Sequence, residues 1–155
     1  MEATILAFFK HYGLAILLGA LMGLERERKQ TRLAGLRTFI LVTLFGTICA
    51  QIAEPPNGHW LVFAGMLAII VQSVMVHVLR AREDFAAGLT TSVALLVAYG
   101  IGVLVAGDQT LAAVSLSLAT TVILYFKPQL HEFSRNLSER DIFAIFQFGL
   151  IAFII

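Results

Sequence analysis

The side chains best equipped for chemistry stand together in Gly23-Leu24-Glu25-Arg26-Glu27-Arg28, with Arg37 and Thr38 a few residues on. Carboxylates and guanidinium groups at this spacing can hold a cation or a proton, or pair with one another and join two segments. Ionisable groups at a membrane boundary cost least when paired. Glu25 with Lys29, four residues later, has the favourable helical order, and Arg37 is within a loop's reach of Glu25 or Glu27. The expectation is a polar cluster of Glu25, Arg26, Glu27, Arg37 and Thr38 that pins two helix ends, with direct ligand binding as the rival reading.

A second set is more dispersed. Ser73 and His77, four apart, share one helical face, whereas Gln72 and His77, five apart, do not. Thr90, Thr91 and Ser92 open a later apolar segment, and buried polar groups of this kind are what a transport path is built from. Gly19 and Gly23 form a GxxxG pair that lets another backbone approach closely, either inside the bundle or in a dimer. His11, His59, His77 and His131 are far apart and lack neighbours at metal-ligand spacing. There is no phosphate-binding glycine loop and no nucleophile elbow, so neither catalysis nor a cofactor is expected, and a metal site is left open.

The elements that must position these residues are apolar. Of 155 residues, 59% are hydrophobic and only 14% charged, a composition suited to lipid rather than to a polar coat. Apolar runs extend over 5–24, 38–53, 60–79, 85–106 and 110–126, and a last one over 142–155. The last has fourteen residues and would reach only about 21 Å as a helix, against roughly 30 Å of hydrocarbon. It is therefore expected to be a truncated sixth span, begun by a cap at Ser138-Glu139-Arg140-Asp141. The fold class is all-α: a polytopic transmembrane bundle of about five full spans plus that sixth. Residues 1–126 form the membrane domain, 127–141 an amphipathic cytoplasmic connection, and 142–155 the start of a further helix.

Ten of the eleven basic residues fall in the loops 25–37 and 80–84 and in the connection 127–141. The positive-inside bias puts those segments in the cytoplasm and the amino terminus outside. Net charge is +1, which gives no reason to expect nucleic acid as a partner. Cys49 lies inside an apolar run as a small buried hydrophobe. Ala34-Gly35-Leu36-Arg37-Thr38 and Ala87-Gly88-Leu89-Thr90-Thr91 agree at four of five positions, which suggests two parallel copies of a helix pair, with chance agreement as the rival.

Residues 18–28 and 34–47 resemble the MgtC/SapB family of bacterial inner-membrane proteins: a glycine-rich first span ends in Gly-Leu-Glu-Arg-Glu, and Ala-Gly-Leu-Arg-Thr opens the second. Residues 87–91 and Lys127-Pro128-Gln129-Leu130-His131 resemble a longer branch with a second membrane domain, which would account for a sixth span cut short. The resemblance implies a role in growth or survival when Mg2+ is scarce and, in some relatives, an effect on the proton-driven ATP synthase. Members of that branch often carry Glu after the double Thr, where this chain has Ser92, so a mechanism resting on that acid does not transfer. The better-studied relatives have a soluble carboxy-terminal domain, and on this reading a regulatory role that rests on it is not expected to transfer. The expected function is that of a non-enzymatic membrane protein acting in the bilayer through contacts with another copy or another membrane protein. The alternative is a transporter or channel for Mg2+, protons or another small solute, with a cation as its partner.

Overall fold

The computed structural model describes residues 2–28, 34–53, 58–79, 85–126, 129 and 138–154. They form six helices: α1 (Glu2–Arg28), α2 (Leu36–Ile52), α3 (His59–Leu79), α4 (Phe85–Ala106), α5 (Thr110–Tyr125) and α6 (Glu139–Ile154). Among the described residues there is no strand. The helices follow the apolar runs closely, because a continuous apolar stretch without Pro supplies every backbone hydrogen bond internally. Two of them, over His59–Val76 and Leu89–Ala106, are long and apolar enough to cross a membrane. At 17 and 16 residues, α2 and α5 are shorter than the roughly 20 that a full span takes.

The chain divides into two compact units, Met1–Leu124 and Tyr125–Ile155. In the first, α2 is central and packs on α1, α3 and α4, while α4 also touches α1 and α3. The buried core includes Met22, Phe39, Val42, Ala98, Tyr99 and Ile101. Large apolar side chains also point outward, among them Trp60, Phe63, Leu67, Val71 and Leu111. Water-facing surfaces avoid contiguous apolar faces of this kind and lipid-facing ones require them.

Small residues set the helix spacing. A Cβ on Gly19 would meet Thr43 Oγ1 and come within 2.9 Å of Ile40 Cα, and one on Gly23 would lie 2.7 Å from Leu36 Cα. The GxxxG face of α1 is thus occupied by α2. On its other side α2 meets α4, where a Cβ on Gly46 would strike the Tyr99 carbonyl and one on Gly102 the Thr43 carbonyl. Gly65 of α3 faces the Tyr99 hydroxyl and Cys49 Sγ, and Cys49 itself is buried and free.

In the second unit, the expected cap of α6 is present. Ser138 Oγ accepts from the Asp141 amide at 3.3 Å, and Asp141 Oδ2 accepts from the Ser138 amide at 3.0 Å. The reciprocal pairing satisfies two amides at the start of the helix. Of the proposed connection over 127–141, residues 127–128 and 130–137 lie outside the described residues, and so does Lys29.

The two similar pentapeptides occupy different local structures. Gly35 is the N-cap of α2, with an extended backbone, whereas Ala87 and Gly88 lie inside α4, which has already begun at Phe85. The repeated letters therefore do not mark equivalent helix starts.

Glycine contacts make a signed prediction. Gly102→Ala forces a methyl into the Thr43 backbone and should destabilise the protein by about 1–3 kcal/mol. Gly100→Ala, with nothing within 4 Å of its added carbon, should instead stabilise α4 by up to about 1 kcal/mol. Thermal unfolding of both variants in detergent checks the contrast.

Candidate functional site

The interior polar groups of the first unit are mostly hydroxyls, and they act across helix boundaries. Thr43 Oγ1 lies 2.9 Å from the Ala15 carbonyl oxygen of α1, and it also reaches the Phe39 and Ile40 carbonyls of its own helix. One turn on, Thr47 Oγ1 lies 3.0 Å from both the Gly102 carbonyl oxygen of α4 and the Thr43 carbonyl oxygen. Each hydroxyl has a single proton and donates to one of these acceptors at a time. Tyr99 donates to the Val62 carbonyl of α3 at 2.8 Å, and Ser117 of α5 to the Leu18 carbonyl of α1 at 3.4 Å. Thr43, Thr47 and Ser117 are fully buried. Such bonds contribute roughly 0.6 to 2 kcal/mol each between membrane helices. Their geometry depends on the glycine contacts, because a hydroxyl reaches a neighbour's backbone only where the helices nearly touch.

At one end of this frame lies the charged cluster. Glu25 and Arg26 are buried at 8% and 2% exposure, while Glu27 and Arg37 are exposed and Thr38 is half-buried. The short link between α1 and α2 is made by Glu27, whose Oε2 accepts from the Leu36 amide at 2.9 Å. The N-cap Gly35 has no side chain to cap with, so a carboxylate from the preceding helix does that work. It also places negative charge at the positive end of α2. Gly35 lies directly against the Glu27 carboxylate and leaves the first α2 amide open to it.

The second polar set lies on α3 and α4. On α4, Thr91 is buried at 2% exposure and Thr90 and Ser92 are half-buried. Ser73 of α3 is half-buried, and the side chain of His77 lies outside the described residues. Among the described residues, no group of three His, Cys, Asp or Glu stands together in a way that could hold a metal ion.

Sequence reasoning missed the opposite end. There α1 brings Lys10, His11 and Tyr12 to Gln51 at the end of α2 and to Asp108 in the α4–α5 turn. Asp108 adopts φ 56°, a left-handed conformation that Asp tolerates better than most residues. The turn closes as the Gln109 amide donates to the Leu104 carbonyl at 3.0 Å. Lys10 and Asp108 are 98 residues apart, and no local pattern joins them. Thr43, Gly46 and Thr47 did carry a signal, as small residues spaced three and four apart on one face of α2.

The Glu27 cap predicts that Glu27→Ala costs about 1 kcal/mol of stability, and that Arg37→Gln, at an exposed position, stays within about 0.5 kcal/mol. Unfolding midpoints of the two variants test this.

Searches of the curated proteins and of the solved structures each give no match. The family model of the MgtC family matches residues 13–133, a stretch that contains the glycine face of α1, the Glu27 cap and the whole of α2 to α5. The chain belongs to the MgtC family.

Proposed function

We propose that this protein is a multi-pass, non-enzymatic module of the bacterial inner membrane, amino terminus outside, that supports adaptation to scarce Mg2+ through contacts with other membrane proteins or with a second copy. Family membership supports the link to Mg2+. The observation that carries the rest is the use of the buried hydroxyls. Thr43, Thr47, Tyr99 and Ser117 each bond to a neighbouring helix's backbone, a use of interior hydroxyls that supports helix packing over a transport path. The spans outside the two long apolar helices fit this reading as shorter, tilted or centrally packed elements. The GxxxG face of α1 is already taken by α2, so a partner would meet other apolar faces, such as the outward side of α3.

Carriage of Mg2+ or protons is the second reading, and one observation favours it. Glu25 and Arg26 are buried charges at the end of a membrane helix, a placement that often accompanies ion pathways.

Two assays on the full chain separate the readings: growth of a host lacking its own copy in low Mg2+, and Mg2+ and proton flux into liposomes under an imposed gradient. The proposal expects restored growth and no flux from well-inserted protein. Gradient-driven flux that Glu25→Gln abolishes would establish the carrier instead.

A further inference from the structure

At the Asp108 end of the bundle, four side chains from three elements form one continuous hydrogen-bond chain. Tyr12 Oη is 2.6 Å from Gln51 Oε1, Gln51 Nε2 is 3.2 Å from His11 Nδ1, and His11 Nε2 is 3.0 Å from Asp108 Oδ1. Lys10 Nζ reaches the same Asp108 oxygen at 3.3 Å. Among the described residues, these are the groups that face His11: Lys10 and Tyr12 from α1, Gln51 from α2, and Asp108 from the turn after α4. The His11 side chain is 13% exposed and that of Asp108 68%.

Asp108 fixes the direction of every bond in the chain. A carboxylate only accepts, so His11 Nε2 carries its proton toward Asp108. In the neutral ring Nδ1 is then an acceptor, and the Gln51 NH2 donates to it. The far end of the Gln51 amide is its oxygen, to which the Tyr12 hydroxyl donates.

A second proton on His11 has one place to go, Nδ1, and its arrival sets two donors against each other. A half-turn of the Gln51 amide exchanges its oxygen and nitrogen with almost no movement of heavy atoms. His11 Nδ1–H then donates to Gln51 Oε1, and Gln51 Nε2–H donates to the Tyr12 oxygen. We propose that this cluster is a proton-operated switch, in which protonation of His11 turns the Gln51 amide over and reverses the hydrogen-bond chain between the α4–α5 turn and Tyr12. The switch frees the Tyr12 hydroxyl proton to bond elsewhere. It also leaves Asp108 between two cations, Lys10 and His11, which draws the turn more firmly onto α1.

Asp108 keeps its charge throughout. The bonds from His11, and then from Lys10, hold its carboxyl below the ordinary aspartate range. Because its folded value is depressed, Asp108 contributes stability that is fully present above the unfolded value of about 3.9 and is lost as pH falls through the lower folded value.

The test is nitrogen-15 NMR of the full chain in lipid nanodiscs, with His and Gln labelled, and with His11→Gln and Gln51→Leu used to assign the signals. On acidification, His11 should begin as the Nε2–H tautomer and gain its second proton at Nδ1. The Gln51 side-chain amide signals should shift with the same midpoint. His11→Gln should abolish the Gln51 response. Gln51 signals that stay still while His11 titrates would overturn the proposal. So would an Nδ1–H tautomer on the neutral His11 ring.

Discussion

Backbone-to-backbone approach on two sides of α2 governs this bundle. Gly19 and Gly23 bring α1 against it, and Gly46 with Gly102 brings α4 against it. In lipid no water is released when apolar helices meet, so close packing and interhelical hydrogen bonds must hold the fold. The glycines supply the first and make the second geometrically available. Thr43 and Thr47 then reach the Ala15 and Gly102 carbonyls, tying α1 and α4 to the same two turns of α2. A helix of only 17 residues can serve as the centre because both its flanks are built this way.

The two ends of the frame are closed by different chemistry. At the Glu27 end, a carboxylate caps the next helix in the chain, a short-range device that needs only a tight connection. At the Asp108 end, the partners come from three elements and the link is a chain of polar side chains. Together they hold α1 at both ends while its middle is held by glycine contacts. Membership of the MgtC family connects such a frame to life at low Mg2+.

Much of the architecture is written in the order of the residues. The apolar runs predict the six helices to within a few residues, since helix extent depends on local composition. Ser138 and Asp141 predict their own capping pair, because both partners lie within one turn. Gly19 and Gly23 announce a close approach but not which helix makes it, a matter of topology. The Glu27 cap is not legible in the sequence, because its partner is a backbone amide, a donor that every non-proline residue has. The Lys10, His11 and Asp108 grouping was illegible for a different reason: it exists only once α1 and the α4–α5 turn have been brought to the same end of the bundle.

The central claim is that α1 lies against α2 within one chain, in the membrane, through the face that carries Ala15, Gly19 and Thr43. Cysteine cross-linking in native membrane vesicles tests it most directly, using Ala15→Cys with Thr43→Cys in a Cys49→Ser background. Mild oxidation should give a disulfide within a single chain, since the two positions adjoin closely enough for Thr43 to bond the Ala15 carbonyl. Absence of a cross-link in inserted protein, or one that forms only between two chains, would contradict the account and return the small-residue face to a dimer contact.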